Sequence, residues 1–336
     1  MDILAGPTGS RLFDLQKITT DEAFLTGRLS DIEDIQREYL EHGAEIGVTA
    51  TYGASPRGPH PSLYTPEMES RNEQAVAIAK RVFGERNVVG SVASLLRNGI
   101  DRMVWEGLHD WEKLSIIQHE GQLSTLRENG ISTLLVEALP DFPEGIGLVQ
   151  AASKQRMKKI VLSFEPPSKG VPENGRRMQT YEEVLSELQS HAEGGTEVVL
   201  GLNCASVERL VQLVAASKEK TFAFVYPNQC LIPEDRTGER FLYLAHLHER
   251  RDAAEQVEFA KLRSLHELED KHIDALLRVC LDKGVETVGL CCGASPLHIA
   301  NMKERLQILR NGTPSYSGRA SAEHSVPGRR GRLVRQ

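Results

Sequence analysis

The feature that most narrows the fold is a pairing repeated along the chain: a short run rich in Val, Ile and Leu, then a longer stretch with helical periodicity. The short runs fall at residues 2–5, 45–49, 87–92, 132–137, 159–164, 197–203, 221–226 and 285–290. Several are apolar almost throughout rather than alternating, as expected of parallel strands covered on both faces. Helical patterns fill the gaps at 30–42, 67–83, 112–129, 143–155, 179–193, 206–218, 252–283 (with a break) and 296–310. In the first of these, Ile32, Ile35, Tyr39 and Leu40 share one face, with Ser30 as the expected N-cap and Gly43 past the end. In the last, Ser295 is placed to cap and Pro296 to occupy the first helical position.

Eight strand–helix pairs with right-handed crossovers predict an α/β fold, a closed (β/α)8 TIM barrel over residues 1–312. A doubly wound sheet is the alternative, because strand order is invisible in the pattern. Against it, Gly6-Pro7-Thr8-Gly9 after the first strand lacks the spacing of a dinucleotide-binding loop. Residues 313–336, with Arg319, Arg329, Arg330, Arg332 and Arg335 against Glu323, read as a basic, solvated, disordered tail.

Composition sets the remaining bounds. In 336 residues, 40% are hydrophobic and only 5% aromatic, so the core must be aliphatic. A net charge of −7 argues against nucleic acid as a partner. No basic stretch followed by an apolar run opens the chain, and no apolar run is long enough to span a membrane. Five cysteines, two of them adjacent, do not form a secreted disulfide pattern and fit a cytoplasmic setting.

Barrel enzymes place their chemistry at the C-terminal ends of the strands. Three cysteines fall there: Cys204 after the sixth strand, and Cys291 and Cys292 after the eighth. Three thiolates with one open position suit a catalytic zinc whose fourth ligand is a substrate thiolate. Position alone leaves two readings open, since a buried cysteine also serves as a small hydrophobe; Cys230 and Cys280 are expected to be of that kind.

The segments Gly201-Leu202-Asn203-Cys204 and Gly289-Leu290-Cys291-Cys292-Gly293-Ala294-Ser295-Pro296 resemble the zinc motifs of the homocysteine S-methyltransferase family. Further likenesses follow in the same order at Thr49 to Ser55, Gly90-Ser91-Val92, Leu135 to Pro140 and Val225 to Asn228. The resemblance covers about residues 1–310. It implies a Zn2+ cofactor on Cys204, Cys291 and Cys292, and a catalytic acid, Glu137, that holds the amino group of the thiol acceptor. Thr51, Ser91 and Asn203 are implied as further substrate-binding residues.

The activity so implied moves a methyl group from a sulfonium donor, S-methylmethionine or S-adenosylmethionine, to homocysteine, giving methionine. Its partners are then a small-molecule thiol acceptor and a methyl donor, with neither nucleic acid nor membrane. One departure stands out. Where the family's first strand ends in Asp-Gly-Gly, this chain reads Ala5-Gly6-Pro7, which raises a different thiol acceptor as an alternative. A catalytically silent zinc-binding barrel is the reading from outside enzymology. For a quaternary ammonium donor, the aromatic candidates are Tyr52, Tyr64, Trp105 and Trp111.

Overall fold

A computed structural model describes residues 1–16, 19–55, 64–95, 111–140, 142–166, 180–228 and 268–311. The 313–336 tail, Trp105, Cys230 and residues 252–267 of the expected seventh helix lie outside them. The strands are β1 (Asp2–Ile3), β2 (Gly47–Val48), β3 (Val88–Ala93), β4 (Thr133–Leu139), β5 (Lys159–Phe164), β6 (Glu197–Asn203), β7 (Phe222–Tyr226) and β8 (Thr287–Val288). Each sits within or beside its predicted run.

All the strand pairs are parallel, in the order β1-β8-β7-β6-β5-β4-β3-β2. A bridge from Leu4 to Ile46, with the Ala5 N–H donating to the Ile46 carbonyl at 2.8 Å, brings the two ends of the sheet together. Consecutive order without a switch point is that of the (β/α)8 barrel and not of the doubly wound sheet.

The described helices are α1 (Thr8–Gln16), α2 (Thr20–Leu25), α3 (Leu29–Glu41), α4 (Pro66–Phe83), α5 (Trp111–Glu128), α6 (Phe142–Lys154), α7 (Tyr181–Ser190), α8 (Val207–Ala216), α9 (Asp270–Asp282) and α10 (Pro296–Arg310). Two were not expected, α1 and α2. The signal for α2 was present in the sequence, because Thr19 and Glu22 close a reciprocal capping box.

Two details of α3 differ from the reading of the sequence. The helix begins one residue before Ser30, which lies inside it, because the Asp31 N–H already donates to the Arg28 carbonyl. Leu40 is exposed, so the buried face is Ile32, Ile35, Gln36 and Tyr39. At α10, Ser295 and Pro296 cap as expected. Helix α7 is shorter than 179–193, since His191 ends it and Gly194 and Gly195 follow with positive φ. No described helix is long and apolar enough to cross a membrane.

The core has two parts. The larger fills the space between barrel and helices. The smaller lies inside the barrel and contains Leu4, Val89, Leu135, Val161 and Phe224. Because strand side chains alternate faces, the residue two positions on points the same way and sits nearer the mouth. On β3, β4, β5 and β7 those residues are Ser91, Glu137, Ser163 and Tyr226, so the interior changes from aliphatic floor to polar mouth within one step.

Candidate active site

At the mouth, the three cysteines converge. The Sγ atoms of Cys204 and Cys291 are 3.2 Å apart, those of Cys291 and Cys292 are 3.8 Å apart, and all three lie within 4.8 Å of one another. Four ligands around a zinc at the usual Zn–S length of about 2.3 Å would sit about 3.8 Å apart, so the trio fits one tetrahedral ion. Cys291 is buried, while Cys204 and Cys292 are half-buried and face the opening. Cys280 is buried in α9 among apolar residues, as a packing residue is.

Local backbone geometry produces the convergence. Cys204 takes a left-handed conformation, φ +57°, at the residue after β6. Such a conformation is uncommon outside glycine and asparagine, and something must hold it. After β8, the Cys291 N–H donates to the Pro227 carbonyl at 2.6 Å, and the Ala294 N–H donates back to the Cys291 carbonyl at 3.1 Å. Gly293, at φ +84°, completes this turn.

Contacts with Cys291 and Cys292, and then burial, push the Cys204 thiol well above the ordinary thiol range. A cation that joined the cluster would offset this penalty and favour the thiolate form.

Glu137 projects from β4 into the same space, half-buried. Burial pushes its carboxyl up to about 7, a negative charge on Cys292 adds to this, and the Ser91 hydroxyl that donates to it acts against both. Ser91 is itself fixed: its N–H donates to Thr49 Oγ1 at 2.9 Å, and its carbonyl accepts from Thr51 Oγ1 at 2.6 Å. Ser91 and Thr51 are buried, and these bonds through Thr49 and Thr51 hold Ser91 against Glu137.

Asn203 is also fully buried. Its Oδ1 accepts from the Ala138 N–H at 3.2 Å and from Ser163 Oγ at 3.0 Å, and its Nδ2 donates to Cys204 Sγ at 3.2 Å.

Two features went unassigned in the sequence. Tyr226, at the end of β7, buries its phenol in the same space, and burial together with the Glu137 carboxylate keeps it protonated. Glu144, buried in the first turn of α6, accepts from Ser94 Oγ and the Leu95 N–H, both at 2.6 Å, and so anchors the chain where it leaves β3. The signal was a lone acid in an otherwise apolar stretch, Phe142 to Val149. Of the aromatic candidates, Tyr64 donates no cage: its hydroxyl bonds Asn72 at 2.9 Å and its ring packs where α5 has Gly121.

A thiol trio beside a carboxyl at the mouth of a parallel barrel defines a metal-ready site of a (β/α)8 enzyme. Comparison with known proteins gives the family. The chain matches the homocysteine S-methyltransferase family model over residues 3–306, and it belongs to that family of methyl-transferring enzymes.

Among solved structures it is similar to the homocysteine methyltransferase MmuM from Escherichia coli. The oxidized form aligns with TM-score 0.59 and 17% identity, covering 91% of this chain and 96% of that one. The metallated form gives 0.57 and 17%, and the apo form 0.56 and 19%, over the same shares. At this identity the structures speak for the fold. No curated relative matches the chain in sequence.

Proposed function

We propose that this protein is a zinc-dependent S-methyltransferase that moves a methyl group from a sulfonium donor to the thiol of homocysteine. The observation that carries the reading is the meeting of three Sγ atoms within 4.8 Å, beside Glu137, in a chain of this family. Cys204, Cys291 and Cys292 would hold the ion, which when bound supplies stabilisation of a substrate thiolate at neutral pH.

The chain's own residues do the rest. Glu137 receives the acceptor's ammonium in a partly dry pocket, where the pair is stronger than in water. Ser91, backed by Thr49 and Thr51, holds the carboxylate in place. The acceptor thiol gives its proton to solvent, and its sulfur attacks the methyl carbon in line. The donor's carbon–sulfur bond breaks, its electron pair stays on the donor sulfur, and a neutral thioether leaves. A sulfonium donor is preferred to a quaternary ammonium, and of the aromatic candidates for a cage Tyr64 is committed to helix packing. S-methylmethionine and S-adenosylmethionine both fit, the acceptor product is methionine, and a cytoplasmic setting supplies reduced thiols.

Ala5, in place of an acid on the first strand, favours a second reading in which the acceptor is another thiol. The test is a methyl-transfer screen pairing homocysteine and simple thiols with sulfonium and betaine donors, run beside metal analysis. About one zinc per chain is expected in the wild type and in Cys280→Ala, with loss of metal and turnover together in Cys291→Ala. Full occupancy in Cys291→Ala would overturn the ligand assignment, and faster turnover of a thiol without an amino group would overturn homocysteine as acceptor.

A further inference from the structure

Four residues other than glycine adopt positive φ among the described residues, and two of them stand at the mouth: Ala138, at +54°, directly after Glu137, and Cys204, at +57°. Ala138 lies in β4 and Cys204 directly follows β6, with β5 between them. One side chain touches both. Asn203 accepts the Ala138 N–H and donates to the Cys204 sulfur, while Ser163 of β5 donates to the same Oδ1. The amide is fully buried. Its orientation follows from the partners: a backbone N–H and a hydroxyl face the oxygen, so the nitrogen must face the sulfur.

We propose that Asn203 is a positioning residue that couples the two halves of the site, setting the Cys204 sulfur and the Glu137 carboxylate relative to each other. This rests on the zinc reading above. A left-handed backbone at a residue other than glycine persists only where its surroundings over-determine it, and this amide meets that requirement on both strands. Without it, Ala138 keeps a buried N–H with no acceptor, and the register break in β4 between Val136 and Leu139, which carries Glu137, loses its tie to β6. Cys204 loses the donor that fixes its sulfur. The two losses occur together because one group serves both.

The role differs from that of a substrate contact, since every polar atom of the Asn203 side chain is already engaged. It also differs from that of a metal ligand, because its oxygen points away from the thiols.

The experiment measures two things in Asn203→Ala: zinc affinity by competition with a chelator, and the KM for homocysteine at saturating zinc. Zinc affinity is expected to fall about 10- to 100-fold, the range for partners of metal ligands, and KM to rise at least about 10-fold at the same time, with kcat changed less. Should Asn203→Ala fail to fold, Asn203→Asp keeps the oxygen contacts and removes the donor to sulfur. Loaded with cobalt(II), it is then expected to show thiolate-to-metal charge-transfer bands displaced from those of the wild type.

A lowered melting temperature with both constants unchanged would overturn the proposal, as would a change in only one of them, or an unchanged cobalt spectrum in Asn203→Asp. A wild type that binds no zinc would overturn the metal reading and this role with it. A wild type that binds zinc no better than Asn203→Ala does would overturn this role alone.

Discussion

Replacing Glu137 by Gln tests the acceptor half of the site with little steric change. The amide oxygen still accepts from Ser91 Oγ, so the support through Thr49 and Thr51 stays in place and only the charge is removed. Losing one partner of a buried, charge-assisted pair costs about 2–5 kcal/mol, which is roughly 30-fold to several thousand-fold in kcat/KM.

The half-buried position of Glu137 adds a pH signature. Burial pushes its carboxyl up to about 7 in the metal-free protein, and a cation on the neighbouring thiolates would bring it down from there. The wild-type advantage over Glu137→Gln should therefore be large at pH 8 and shrink as the pH falls and the carboxylate takes up its proton. The assay is kcat/KM for homocysteine across that range, with zinc content measured in parallel and expected to be unchanged. Equal kcat/KM in the two proteins at pH 8 would refute the reasoning, and a ratio independent of pH would refute the assignment of the ionisation.

Three further outcomes follow from packing and charge. A Cβ on Gly6 would lie 2.5 Å from Tyr39 Cε1, in a ring with no exposed surface, while the Tyr39 hydroxyl donates to the Ala294 carbonyl at 3.0 Å. Gly6→Ala should thus cost about 1–3 kcal/mol in overpacking beyond the loss in Tyr39→Phe, which strips only the hydroxyl; equal denaturation midpoints would contradict this. In metal-free protein, the raised Glu137 carboxyl contributes stability that is fully present below pH 4.5 and lost as pH rises through about 7. Unfolding free energy should fall by up to about 3 kcal/mol over that window, and Glu137→Gln should flatten the profile. Ala5→Asp should lower the melting temperature without lowering the KM for homocysteine; a lower KM would show that the new carboxylate reaches the acceptor.

How much of this was legible depends on whether the cause is local. The eight strands were readable because burial on both faces leaves apolar runs, and α10 was readable because Ser295-Pro296 is a local signal. Strands β1, β2 and β8 are shorter than their runs, since pairing in the sheet, and not apolar content, decides where a strand stops. The cysteines were legible by their place at strand ends. The approach of Cys204 to within 3.2 Å of Cys291 was not, because it involves a left-handed Cys204 whose sulfur accepts from an amide bonded to another strand. Glu144 shows the same limit: its partners, Ser94 and Leu95, are about fifty positions away.

The first strand shows where motif and geometry part. By motif, Ala5 stands where relatives carry an acid, and its absence reads as a missing clamp. By geometry, Leu4 belongs to the inner cluster and Ala5 packs with Ile3 in the outer one, almost fully buried. The next residue, Gly6, has the Tyr39 ring where a side chain would stand. A carboxylate at position 5 would enter an apolar layer without a partner, which is costly. The phenol of Tyr39 meanwhile braces Ala294, two residues beyond Cys292. In this chain the first strand therefore serves the turn that carries the cysteine pair, and under the proposed function recognition of the acceptor's charge falls to Glu137.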